Sequence, residues 1–305
     1  MEHFYSLNSY LQKTFGEKIY KLSLELGATC PNRDGRLDTR GCSFCLAGSS
    51  HFATGGADIH TQIEEAKKLV ADKTKAKRFI AYFGSYTNTY GDFAHLKTVF
   101  TQVLQRPDIA VLSIATRPDC IDTQMLSLLS ELNKQKPVWV ELGLQTANED
   151  TAKGIRRHYS NDVYLDAVRQ LRQRGFEVIT HIILGLPGET VEDALATVDL
   201  AVNAGTTGVK LQLLHVLRGT DLQKQYEAGE FSVLTLEEYM KWLFACIRRL
   251  PPHIVIHRIT GDAPKLHLIE PRWSADKKTV LNTINRAMAE ENLRQGEAAI
   301  YTAAP

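Results

Sequence analysis

Cys30-Pro31-Asn32-Arg33-Asp34-Gly35-Arg36-Leu37-Asp38-Thr39-Arg40-Gly41-Cys42-Ser43-Phe44-Cys45 is the stretch on which the reading of this chain turns. It holds three of the five cysteines, spaced C-x11-C-x2-C. Three thiolates on one short loop are a soft ligand set that suits an iron–sulfur cluster or zinc, and Gly35 and Gly41 give the loop the freedom to wrap such a group. A structural zinc ion wants four protein ligands, and His51 is the close candidate for a fourth. With three cysteines alone, one metal position stays open to bind a ligand directly, as a reactive centre requires. Cys120 and Cys246 each stand alone in apolar surroundings and read as small buried hydrophobes.

Outward from this loop, short runs rich in branched and aromatic residues alternate with helical patterns, the signature of parallel βαβ units. The strands read are Lys18–Leu26, Arg78–Phe83, Ile109–Ala115, Val138–Leu144, Glu177–Leu184 and Gly208–Val216. Between them lie single apolar stripes: Ile59, Ile63, Ala66, Val70; then Ile121, Met125, Leu128, Leu132; then Val191, Leu195, Val198, Val202. Gly175 and Gly205 stop the helices that precede them. Six such units form either a partial barrel or an open doubly wound sheet, and periodicity does not separate the two. After Val216 the alternation weakens into a helix over Leu236–Leu250, a strand over Ile254–Ile259 and a last helix over Lys277–Arg294. The division expected is a core over 1–216 and an extension over 217–305.

In parallel α/β folds the chemistry sits at the carboxyl ends of strands. The second strand runs into Tyr82-Phe83-Gly84-Ser85-Tyr86-Thr87-Asn88, and the third into Thr116-Arg117-Pro118-Asp119-Cys120. On the fourth, Glu141 is an acid that is costly to bury without a partner, and Gln145 lies two alternations further along the same face. The fifth delivers His181 and then Gly185-Leu186-Pro187-Gly188, either a close approach to a planar ligand such as adenine or a plain strand-to-helix turn. Lys210, Gln212 and His215 are polar positions on or beyond the sixth.

The cysteine loop resembles that of the radical S-adenosylmethionine (SAM) superfamily. Its CPNRDG…GC-x2-C form is similar to the YhcC/YtqA-type branch, which is related to the Elongator catalytic subunit. The superfamily's commonest spacing is C-x3-C-x2-C, and the long first gap is a departure shared with this branch; the branch's Gly-Gly reads Arg40-Gly41 here. The resemblance implies a partial (β/α)6 TIM-like barrel with a C-terminal extension, and a [4Fe–4S] cluster on Cys30, Cys42 and Cys45. It implies that SAM meets the segment of Ser85, Thr87 and Asn88 through its amino group, Glu141 through its ribose with Gln145 nearby, and Arg157 through its carboxylate. Gly185 is the adenine candidate. Ile155-Arg156-Arg157-His158 stands where relatives carry an Asn-Arg-Gly-His string, so Arg156 and His158 depart from the pattern. Arg258-Ile259-Thr260-Gly261-Asp262 and Trp273-Ser274 resemble strings of the branch and are candidates to face substrate, with no role assigned; Arg117, Lys210 and His215 are likewise left without one.

The implied chemistry is reductive cleavage of SAM to a 5′-deoxyadenosyl radical that abstracts a substrate hydrogen, fed by an electron donor such as flavodoxin or ferredoxin. Elongator kinship points to RNA, with a wobble uridine side chain of tRNA as the leading substrate; a small metabolite, a protein side chain and a non-catalytic metal module stay open. Formal net charge is +1, yet the chain from Lys241 onward carries 10 Lys and Arg against 6 Asp and Glu. That tail excess suits phosphate contacts or a solvated helix face. Neither a signal peptide nor a run of about 18 apolar residues is visible, so the expected location is the cytoplasm, without a membrane partner.

Overall fold

The computed structural model describes residues 2–46 and 58–300. Helix α1 (Leu7–Phe15) precedes β1 (Tyr20–Leu24). Then α2 (Ile59–Val70) leads to β2 (Phe79–Phe83), α3 (Phe93–Gln105) to β3 (Ile109–Thr116), and α4 (Thr123–Asn133) to β4 (Val138–Gln145). Helices α5 (Glu149–Gly154) and α6 (Asn161–Gln173) lead to β5 (Glu177–Leu184), and α7 (Val191–Ala204) to β6 (Gly208–Leu213). The rest adds β7 (Val216–Leu217), α8 (Asp221–Glu227), α9 (Leu236–Arg249), β8 (Val255–Arg258), β9 (Leu268–Glu270) and α10 (Lys277–Glu290).

Strands β1 to β6 pair in parallel, each with the next in sequence, and curl into a half-barrel with helices outside. The six-stranded partial barrel with an extension is therefore the architecture that forms, with one addition. Strand β8, from the extension, pairs in parallel with β6 and makes a seventh member of the sheet. Strand β6 ends at Leu213 rather than Val216. Its partner β5 stops at Leu184, so the chain beyond has no ladder to follow, and Val216 instead joins the antiparallel ribbon of β7 and β9.

The stripes read in α2 and α4 are buried as expected at Ile59, Ile63, Ala66 and at Met125, Leu128, Leu132. In α7 the buried line is Ala194, Val198 and Ala201, one position round from the expected stripe. Small residues face the sheet there, while Leu195 and Val202 are only partly buried. Thr190 and Asp193 form a capping box at the start of α7, and Gly205 ends it in the left-handed conformation.

Inward-pointing residues recur every second position along each strand, so they stack in layers. The lowest layer is apolar: Ile80, Val111, Trp139 and Ile179, plugged from below by Leu11 of α1 with Tyr10 edge-on to Trp139 at 5.9 Å. One step up, the same alternation delivers Tyr82, Ser113, Glu141, His181 and Lys210. Another step up, Gly84, Ala115, Gly143, Ile183 and Gln212 bound an open cavity.

Candidate active site at the barrel mouth

The cavity, about 360 Å³, is walled on one side by Cys30, Cys42 and Cys45 and floored by Glu141 and His181. The cysteine loop is held by its own backbone. Arg33 N–H donates to the Cys30 carbonyl at 2.7 Å, Leu37 N–H to Pro31 at 2.8 Å and Gly41 N–H to Asn32 at 2.6 Å. Gly41 has φ +78°, a left-handed backbone that favours glycine, and the Arg33 guanidinium lies 2.7 Å from where a Cβ would be. Arg33 in turn donates to the Cys45 carbonyl. Buried Asn32 donates to Cys42 Sγ at 3.3 Å and to the Arg156 carbonyl at 2.8 Å.

Arg156, at first sight a departure from the branch pattern, clamps this loop. Its Nε donates to the Gly41 carbonyl at 2.8 Å and its guanidinium pairs with Asp221 of α8 at 2.8 Å. His158 takes φ +61°, the left-handed backbone a glycine favours, and sets Nε2 3.4 Å from Asp38. Phe44 packs beside Ile155, Ile183 and Leu222, which ties the loop to the extension.

The chemistry of the donor set fits a metal cluster. Burial pushes the Cys42 thiol up to about 12 and raises Cys45 as well, so thiolates here need a strongly cationic partner. Among the described residues no three Cys, His, Asp or Glu side chains close on one point as the ligands of a single ion would. His51, the candidate fourth zinc ligand, lies outside the described residues.

The residues proposed for SAM divide into those at the cavity and those behind it. Thr87, Glu141, Gln145 and Arg157 line it; Ser85, Asn88 and Gly185 do not. Asn88 is buried, and its Nδ2 reaches the carbonyls of Phe83, Ser85 and Ala115 at 3.1, 2.9 and 2.8 Å, so it shapes the loop rather than touching a ligand. The space a Cβ would take at Gly185 is filled by Leu234 at 2.9 Å. Gln145 follows a register shift between β4 and β5 and has φ +68°. Its amide stands 2.7 Å from where a Cβ on Gly143 would be, so it fills the space that the glycine leaves open.

Glu141 is fully buried and saturated. Oε1 accepts from Ser113 at 2.7 Å and Lys21 at 3.3 Å; Oε2 accepts from His181 at 2.7 Å and from Lys210. Burial opposes its ionisation, but Lys21, Lys210 and His181 overcome this and hold the carboxyl well below its usual range. These partners use the four lone-pair positions of a carboxylate. Arg157 is saturated too: its five N–H groups reach the carbonyls of Tyr159, Leu144 and Thr146 and the side chains of Glu149 and Asn161, at 2.7–3.1 Å. In this arrangement neither side chain has capacity left for a ribose or a bidentate carboxylate. Arg117 pairs with Asp119 at 2.9 and 2.8 Å, and both arginines lie against the Tyr159 ring.

On the β6 and β8 side, His215 and Asp262 reach the cavity while Arg258 and Trp273 stand behind. Asp262 pairs with Arg258 at 3.1 Å and with Lys277; His215 Nε2 lies 3.2 Å from Ser274 Oγ. Burial lowers both His181 and His215 to about 4, so both imidazoles are neutral near pH 7. Tyr159, Ser113 and Lys21 are site residues that the motifs do not reveal, and Tyr82 heads the second-strand segment without a role of its own there. The period-two alternation of the strands carrying Tyr82, Ser113 and Lys21 is a signal that could have found them.

The family model of the radical SAM superfamily matches residues 28–201, and that of the radical SAM C-terminal domain matches 206–290. The chain is 39% identical over 298 residues to YtqA of Bacillus subtilis, covering 97% of this chain and 92% of that protein. It is 36% identical over 290 residues to YhcC of Escherichia coli, covering 94% and 93%. The solved structure of archaeal Elp3 from Methanocaldococcus infernus superposes with a TM-score of 0.69 at 17% identity, covering 91% of this chain and 64% of that one, a likeness of fold.

Proposed function

The chain belongs to the radical SAM superfamily, and on that premise we propose that it modifies a uridine side chain at the wobble position of tRNA. Superfamily members use a [4Fe–4S] cluster and SAM as cosubstrate. When bound, these supply an electron and the 5′-deoxyadenosyl radical it releases from SAM. Cys30, Cys42 and Cys45 would hold the cluster, and Thr87, Gln145 and the backbone of the Ser85–Asn88 segment would hold SAM, with Glu141 and Arg157 fixing the walls around it. The protein's work is to orient SAM and keep water and stray hydrogen donors from the radical.

The single observation that carries the reading is that all three cysteines of one loop line the same cavity at the carboxyl ends of parallel strands. The RNA substrate is supported by partial relatives. Over 157 residues the chain is 27% identical to Elongator complex protein 3 of Schizosaccharomyces pombe, half of this chain. Over 171 residues it is 25% identical to tRNA-2-methylthio-N(6)-dimethylallyladenosine synthase of Finegoldia magna, 54% of this chain and 36% of that one. No helix among the described residues is long and apolar enough to cross a membrane. The enzyme proposed works in the cytoplasm and takes its electron from a donor such as flavodoxin or ferredoxin. The core over 1–216 would bind SAM and the extension over 217–305 would face substrate.

The test is a nucleoside digest of tRNA from cells lacking this protein, incubated with reduced, reconstituted enzyme and SAM. A new modified uridine, absent with Cys42→Ala, is the expected result. Unchanged nucleosides beside active SAM cleavage would move the substrate to a metabolite or protein.

A further inference from the structure

Among the described residues, exposed basic side chains gather at both ends of the barrel. At the amino end of β2, Lys73, Lys75 and Lys77 crowd one turn. That turn is separated from the Gly84–Thr87 cavity wall by the five-residue strand β2, roughly 17 Å at the usual rise. At the other end, beside the cavity mouth, Arg218, Lys265 and Lys278 are exposed and make no ion pair among the described residues. Nearby carboxylates are already engaged: Asp262 with Arg258 and Lys277, Glu270 with Arg272, and Asp276 as the cap of α10, although Asp276 also senses Lys265.

The rim has a second feature. Leu266 is 90% exposed, the most exposed of the large apolar side chains described. It sits at the tip of a turn whose first residue, Pro264, lines the cavity. The turn is fixed rather than loose. His267 and Leu268 N–H groups donate to the Pro264 carbonyl at 2.9 and 3.0 Å, and Arg218 N–H donates to His267 at 2.7 Å. A lone exposed leucine needs no explanation on a flat surface. Next to Lys265, in a turn whose His267 carbonyl accepts from Arg218 N–H at the entrance to a recessed site, it matches the apolar wedge flanked by cations with which proteins unstack a base while gripping its phosphates.

We propose that Arg218, Lys265 and Leu266 form the landing rim for RNA, the two cations contacting phosphates beside a nucleotide turned out of its stack against Leu266. This rests on the RNA reading above. A polymer that inserts one nucleoside into the cavity must lay its flanking phosphates on the mouth, which the distant lysine turn cannot reach.

The experiment is filter binding of unfractionated labelled tRNA to the reconstituted full chain between 50 and 200 mM KCl. The charge-reversal pair Arg218→Glu/Lys265→Glu is expected to weaken binding at least tenfold and to lower the salt slope by about two, one for each phosphate that is no longer neutralised. Leu266→Ala should weaken binding a few-fold at unchanged slope, because it removes stacking and no charge. The triple variant Lys73→Glu/Lys75→Glu/Lys77→Glu should bind as wild type does. Thermal melts matching wild type would show that all variants fold. Wild-type binding that the rim variants leave intact, or that the triple variant abolishes, overturns the rim and spares the RNA reading. Absence of wild-type binding at 50 mM KCl overturns both. Retained tRNA binding with lost reduction by flavodoxin would assign the rim to an acidic protein instead.

Discussion

At Glu141 two ammonium groups, a hydroxyl and an imidazole share one buried carboxylate. Removing that charge leaves Lys21 and Lys210 facing each other without an anion, and uncompensated buried charges cost about 3–5 kcal/mol. Glu141→Gln should lose stability on that scale in urea melts, and Glu141→Gln/Lys210→Met should recover a measurable part; a double variant no more stable than the single would sink the charge argument. Glu189 behaves in the opposite sense. Burial pushes its carboxyl up to about 7 although Thr146 donates to it. A raised acid favours the protonated native state, so its contribution is whole below the ordinary carboxylate range and disappears as pH rises through 7. Glu189→Gln should therefore melt like wild type near pH 4 and be more stable by on the order of 2 kcal/mol at pH 9; equal melting at pH 9 would contradict the burial effect. The three cysteines are legible in the sequence because metal ligands on one loop carry their spacing with them. The partners of Glu141 are not, since β1, β3, β5 and β6 each supply one.

Among the elements, the segment after β2 shows how a loop becomes a binding surface. Asn88 ties the carbonyls of Phe83 and Ser85 to that of Ala115 on β3, so the backbone facing the cavity is set before any ligand arrives. Asn88→Ala should raise the SAM dissociation constant of the reconstituted protein at least tenfold, while stability falls by only about 1–3 kcal/mol for the carbonyls left unpaired. Unchanged affinity in anaerobic calorimetry would mean the loop needs no such tie. Helices with a single apolar stripe are readable because periodicity is local. Helix α1 carries the same local signature, with Leu7, Tyr10, Leu11 and Phe15 at i, i+3, i+4 and i+8 between a Ser6 cap and Gly16, although it is absent from the helices read above; what has no local sign is that this stripe packs under Trp139 and Ile179, far along the chain. The stripe expected in α7 lies one position off the buried line, for local hydrophobicity favours Leu195 and Val202 over the small residues that face the sheet.

Over the whole molecule, the alternation of strands and helices makes the partial barrel readable, but not that β8 returns from the extension to extend it. Parallel pairing with β6 is a long-range event with no local sign. The basic excess of the tail is largely consumed inside the fold: Arg248 pairs with Glu291 and Glu297, Arg249 with Asp199, and Arg258 with Asp262. Charge counted along a sequence thus overstates what a partner can meet, and only a few tail residues such as Lys265 and Lys278 remain exposed without an ion pair among the described residues. What the architecture achieves is to bring a cysteine loop from the first βα unit over a cavity floored by the fourth and fifth strands. The most direct test is 5′-deoxyadenosine formation by the full chain, reconstituted anaerobically with iron and sulfide, reduced and given SAM, beside Cys42→Ala. The account predicts 5′-deoxyadenosine from wild type and none above background from the variant. A wild-type protein that takes up zinc in place of the cluster, or whose reduced cluster leaves SAM intact, would contradict it.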